Sequence, residues 1–220
     1  MTPSRRQALV RLGGWLAAAP LTAGLMACSR PPVKGERVPP GAPVLALGDS
    51  LTYGTGATAG TAYPAVLAGL TGWQVVNAGV PGHVSAQALE RLPGLLNEHR
   101  PALVLLGIGG NDFLRRLDEA QTERNVRSLV EGARAGGAQV LLIAVPRPTV
   151  AARLVGALED HPLYERVAEA LRVPLHANGW SEVLADEALR ADAIHANAQG
   201  YAAVSRGLVE TLRKRGLLAS

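Results

Sequence analysis

Five short, mainly apolar runs, at residues 44–47, 74–78, 103–108, 139–145 and 173–176, alternate with segments whose apolar residues recur at helical spacing. Such runs suit strands covered on both faces, as in a parallel sheet. Parallel neighbours must be joined by a crossover of a dozen or more residues, which is right-handed almost without exception. The intervening segments meet that need. Residues 63–70 show helical spacing, and Ser85 can cap a helix to about Arg100 that carries Leu89, Leu92, Leu95 and Leu96 on one face. Residues 119–135 carry Val126, Leu129 and Val130 and stop at Gly136 and Gly137. Helices at 163–171 and 198–215 complete the set, the last opened by Asn197. The chain from 44 to 220 is therefore expected to be one α/β domain, large enough to bury roughly 70% of its unfolded surface.

Open parallel sheets collect their ligands at the carboxyl edge, so the residues just after each run carry the most weight. The first run ends at Gly48, Asp49 and Ser50, where glycine allows a sharp turn and Ser50 would stand exposed at the start of a helix. A serine hydroxyl is a weak nucleophile until a base takes its proton and a third group orients that base. Asp192 and His195 can supply both. A separation of three lets the carboxylate reach its own histidine's Nδ1 while Nε2 faces Ser50. Gly82 follows the second run and Asn111 the third, offering an unhindered N–H and a side-chain amide to a developing oxyanion. The alternative for Ser50 is a helix cap. None of His83, His99, His161 and His176 has an aspartate three residues before it, although His83 borders the site through Gly82. Asp49 reads as bonded to nearby turn N–H groups, and Asp112 as a cap or brace for the turn after Asn111. Asp192 and His195 lack a third ligand nearby, so no metal and no cofactor is assigned.

These blocks, Gly48 to Leu51, Gly82, Gly110 with Asn111, and Asp192 with His195, resemble in order those of the SGNH (GDSL) hydrolases. Their spacing and flanks are most similar to bacterial periplasmic members of mixed acyl-thioesterase, lysophospholipase and arylesterase activity. The resemblance runs from Val44 nearly to the C-terminus. It implies a three-layer α/β/α fold around a flavodoxin-like five-stranded parallel sheet in the order 2-1-3-4-5. It also implies Ser50 as nucleophile, Asp192 and His195 as the rest of a triad, and Ser50 N–H, Gly82 N–H and the Asn111 amide as the oxyanion hole. The substrate would be a small ester, thioester or lysophospholipid, cleaved through an acyl-enzyme. Ala196 departs from the pattern, since proline usually follows the histidine. Phe113 and Leu114 are placed to line an acyl pocket, with Pro146 and the residues to Val150 as its opposite wall; core packing is the alternative for each. Arg115, Arg116 and Arg147 face either an anionic leaving group or solvent. Trp73 and Trp180 read as packing residues. Two other readings keep the fold: a polysaccharide O-deacetylase, against which the scarcity of aromatics speaks, and a non-catalytic lipid- or sugar-binding module, against which the intact blocks speak.

Ahead of the domain, Arg5, Arg6 and Arg11 precede sixteen uncharged residues, 12–27, in the layout of a signal peptide. Gly13, Gly14, Pro20 and Gly24 weaken that run as a spanning helix, for which it is also short. Residues 25–28 resemble a lipobox, and Cys28 is the only cysteine, so lipidation is expected there rather than a disulfide. An ordinary leader with an incidental cysteine is the alternative. The expected division is a signal peptide at 1–27, a lipidated cysteine and proline-rich tether at 28–43, and the hydrolase domain at 44–220. Export to the periplasm and attachment to a bacterial membrane through the lipid follow from that division. The formal charge of +4 does not point to nucleic acid, because three leader arginines account for most of it. Residues 44–220 hold 16 basic and 17 acidic side chains, no footprint for a phosphate backbone.

Overall fold

The computed structural model describes residues 33–147 and 158–219. The expected leader, Cys28 and the stretch from Pro148 to Val150 lie outside them. Five parallel strands, β1 (Pro43–Gly48), β2 (Gln74–Gly79), β3 (Leu103–Gly107), β4 (Gln139–Ile143) and β5 (Leu175–His176), form one sheet in the order β2-β1-β3-β4-β5. The three central strands are the most apolar and almost wholly buried, whereas β2 at one edge exposes Gln74 and Asn77. Burial on both faces is what those unbroken runs require.

Helices cover both faces. On one, α3 (Ser85–His99) packs on α5 (Glu119–Ala135), which meets α6 (Leu163–Leu171). On the other, α2 (Tyr63–Thr71) packs on α8 (Ala198–Lys214), which meets α7 (Gly179–Ala185). Two short helices, α1 (Ser50–Tyr53) and α4 (Gly110–Leu114), start at the carboxyl ends of β1 and β3. Trp180 stands edge-on to Tyr63 and Tyr201, with ring centroids 6.0 and 5.7 Å away, and joins α2, α7 and α8. Such aromatic pairs add roughly 0.5–1.5 kcal/mol beyond the area they bury. Trp73 is also buried and donates its indole N–H to the Val38 carbonyl at 3.2 Å.

Three expectations need correction. The proline-rich stretch is docked on the domain from Gly35 onward: Gly35 and Val38 donate to the carbonyls of Arg215 and Leu217, Glu36 and Gln139 exchange two bonds, and Val38 is buried. Buried backbone groups need partners, and the C-terminal turn and β4 supply them. Ser85 is not the cap of α3 but its first helical residue, and its hydroxyl is committed elsewhere. Strand β4 stops sooner than its apolar run and β5 starts later, because the paired stretch is shorter than the run although Ala144, Val145 and Val173 remain buried.

Candidate active site

Ser50 is carried where β1 gives way to α1. Gly48 makes this possible by close approach rather than by an unusual backbone angle, since a Cβ there would run into the Thr52 side chain and the Gly107 carbonyl. Asp49 is the N-cap of α1 and accepts the Leu51 N–H at 3.0 Å. Arg91 of α3 reaches across to the carbonyls of Ala78 and Gly48, tying the ends of β2 and β1 together.

His195 comes from the loop between α7 and α8. Its Nε2 lies 3.0 Å from the Ser50 hydroxyl and its Nδ1 2.7 Å from Asp192 Oδ2. The other carboxylate oxygen, Asp192 Oδ1, accepts the N–H groups of Ile194 and His195, closing a turn that aims the ring. Partial burial works against ionisation of Asp192, but the bonds from the His195 ring and these N–H groups outweigh it and hold the carboxyl below the usual range. An antiparallel bridge between Arg190 and Ala196 and the bonds from Asn197 Nδ2 to the Ala188 and Arg190 carbonyls staple the loop. Ala196, where proline was the expected residue, is fully buried within this staple.

Gly82 and Asn111 line the same cleft as Ser50 and His195. Gly82 has φ 79°, a conformation that favours glycine, at the end of the turn after β2. Asn111 donates through Nδ2 to the His83 carbonyl at 3.0 Å and lies 3.5 Å from Asp49 Oδ2, a much weaker approach. Asp49 is 2% exposed, and burial pushes its carboxyl up to about 6 despite the Leu51 N–H and the neighbouring His195. The His83 ring, driven toward its neutral form by burial and by Arg91, is not part of the cleft wall.

A cleft of about 300 Å³ opens beside the serine, lined by Ser50, Gly82, Asn111 and His195 at its polar end. Leu114, Val145, Pro146, Leu158, Leu184 and Ile194 make the apolar walls. Leu114 and Pro146 therefore stand where expected. Phe113 does not: it stacks on His161, with centroids 4.1 Å apart, and meets Tyr164 edge-on. Successive side chains in a helical turn point about 100° apart, and in α4 that turn sends Leu114 to the cleft and Phe113 to His161 and Tyr164. Leu158, Leu184 and Ile194 escaped the sequence reading, because they lie on loops or a short helix far from the strand ends. Trp180, Val183 and Leu184 do show i, i+3, i+4 spacing, the one signal that could have found α7. Among the described residues no three histidine, cysteine, aspartate or glutamate side chains are grouped to hold a metal ion.

Comparison with known proteins bears on the same residues. The model of the GDSL-like Lipase/Acylhydrolase family matches residues 46–203. The thioesterase 1/protease 1/lysophospholipase L1 of Escherichia coli K12 is 34% identical over 175 residues, covering 77% of this chain and 83% of that protein. The esterase TesA of Pseudomonas aeruginosa is 40% identical over 110 residues, covering 48% and 55%. A crystal structure of TesA superposes with a TM-score of 0.71 at 30% identity, spanning 79% of this chain and 99% of the other.

Proposed function

Because the chain belongs to the GDSL-like lipase/acylhydrolase family, we propose that it is a serine esterase whose triad is Ser50, His195 and Asp192. The observation that carries the reading is the unbroken chain of short bonds from the Ser50 hydroxyl through both ring nitrogens to Asp192, at the head of an apolar cleft. His195 Nε2 takes the Ser50 proton as Oγ adds to the substrate carbonyl, while Asp192 holds the tautomer and the positive charge that forms. The new oxyanion is met by the N–H groups of Ser50 and Gly82 and by the Asn111 Nδ2 proton that His83 does not take. The leaving group departs with the proton from His195, and water repeats the cycle against the acyl-enzyme. The apolar walls receive an acyl chain, and carboxylic esters and thioesters are the substrates, in keeping with the names of the E. coli and P. aeruginosa relatives. Export and lipidation at Cys28 belong to the same reading, and mass spectrometry of the mature N-terminus tests them.

The experiment is hydrolysis of p-nitrophenyl butyrate, with labelling by a fluorophosphonate. Ser50→Ala should lower kcat by about 10⁶ and abolish labelling, as loss of a triad serine does elsewhere, with the melting temperature almost unchanged. Hydrolysis and labelling that survive in Ser50→Ala would remove Ser50 from the chemistry.

A further inference from the structure

We propose that Asp112 and Arg115 are positioning residues that clamp the Gly82 loop to Asn111 and so set the spacing of the oxyanion hole. The inference rests on the serine-esterase reading and goes beyond it, since neither side chain is needed to touch a reacting atom. Gly82 and Asn111 follow different strands, β2 and β3, which are not neighbours in the sheet, with β1 between them. Ladder bonds therefore do not fix the distance between the two donors. Side-chain bonds from α4 and from Arg115, its C-cap, do.

Asn111 Nδ2 holds the His83 carbonyl at 3.0 Å, and Arg115 donates to the Gly82 carbonyl at 2.7 Å. From below, Asp112 Oδ2 accepts the Ser85 N–H at 2.8 Å and Oδ1 accepts the Ser85 hydroxyl at 2.5 Å. The head of α3 thus has its cap supplied by a carboxylate from another helix, α4, at the helix end where negative charge is favoured. Asp112 is 2% exposed and its partners are themselves held. Thr122 donates to Oδ1, Asn125 donates to the Ser85 hydroxyl, and Gln121 donates to Asn125. This buried network anchors the far end of the loop to α5.

Arg115 acts at the near end, in solvent. Among the described residues it has no carboxylate partner, and the Gly82 carbonyl is the group it grips. Glycine at φ 79° turns easily about its own bonds, so a grip on its carbonyl fixes the peptide that follows and, with the His83 N–H bonded back to the Val80 carbonyl at 3.2 Å, limits how far the Gly82 N–H can swing. A donor misplaced by about 1 Å can cost on the order of 10² in rate. The two residues secure one short loop from opposite ends.

The test uses the full chain with p-nitrophenyl butyrate. Arg115→Ala should lower kcat about tenfold while KM stays within about twofold and the melting temperature is unchanged, and Arg115→Lys should recover part of the loss. Asp112→Ala should lower kcat by about 10². Should that variant fold poorly, Ser85→Ala removes one of its bonds, the hydroxyl to Oδ1, keeps the Ser85 N–H to Oδ2, and should move kcat in the same direction by less. A structural role alone would reduce the number of active sites, so sites are titrated to completion with a fluorophosphonate. The clamp instead predicts full titration, with the Ki of an alkyl boronic acid, which forms a tetrahedral adduct on serine, rising by the factor by which kcat/KM falls. Unchanged kcat and boronate affinity in Arg115→Ala overturn the clamp, as does a loss explained entirely by missing sites. A wild-type protein without esterase activity overturns the functional reading and the clamp with it.

Discussion

Asp49 adjoins Ser50 in sequence and borders the cleft, yet its carboxylate turns back to the Leu51 N–H and is almost wholly buried. The expectation that it serves nearby turn N–H groups is met at Leu51. Burial raises its pKa from 3.8 to about 6, so between those values the folded protein keeps a proton that the unfolded chain has released. The contribution of this group to stability is therefore lost as pH rises through that window, by about 3 kcal/mol. Asparagine keeps an acceptor for Leu51 and cannot ionise. Asp49→Asn should accordingly gain about 2 to 3 kcal/mol on the wild type between pH 4 and pH 7 in urea melts. Parallel curves would mean that Asp49 is not ionising in a dry site. At this scale residue type and spacing made Ser50, Asp192 and His195 legible, because a three-residue loop fixes which histidine a carboxylate can reach.

Helix ends show where local pattern suffices and where it does not. Asp118 and Asn197 cap α5 and α8 with side-chain oxygens, as their positions before periodic segments announce. Ser85 carries the same signal but spends its hydroxyl on Asp112, a partner 27 residues away that sequence spacing does not reveal. Asn197 does two things. Its oxygen receives the N–H groups of Gln199 and Gly200, and its amide holds the Ala188 and Arg190 carbonyls in the loop that carries His195. Asn197→Ala should cost roughly 2 kcal/mol, one part cap and one part loop, and should lower kcat as well. Asp118→Ala, which loses only a cap, should cost about 1 kcal/mol and leave kcat alone. Equal kinetic effects of the two would show that the loop does not depend on Asn197. The helix α7 escaped notice because seven residues give too few turns for periodicity to stand out, although its apolar face completes the cleft through Leu184.

Across the molecule, acid sensitivity combines opposing groups. His176, at the end of β5, is 4% exposed, and its ring lies close against Gly179 of α7 and Gly207 of α8, with Nδ1 bonded to the Thr211 hydroxyl at 2.8 Å. Burial lowers its pKa from 6.5 to about 4, so as pH falls through that window the unfolded chain takes up a proton first. Stability present above 6.5 is lost there, by about 3 kcal/mol, over much of the range in which Asp49 contributes the reverse. The wild-type curve should therefore be flatter between pH 6 and pH 4 than that of Asp49→Asn. His176→Gln should lose about 3 kcal/mol less than the wild type across pH 6.5 to 4, measured by urea denaturation. Equal losses would place the acid sensitivity elsewhere. As for the fold, short apolar runs and helical spacing between them left few arrangements open, and the blocks after the first three runs marked Ser50, Gly82 and Asn111, which line one cleft. Such signals are local: a strand's burial and a three-residue carboxylate-histidine turn are written in neighbouring residues. The docking of residues 35–38, the separation of Phe113 from Leu114, the walls supplied by Leu158, Leu184 and Ile194, and the bonds from α4 to the Gly82 loop are written in no single stretch. Each depends on which surfaces meet once the strands have paired, because burial and hydrogen-bond partnership are properties of segments brought together and not of the segments alone.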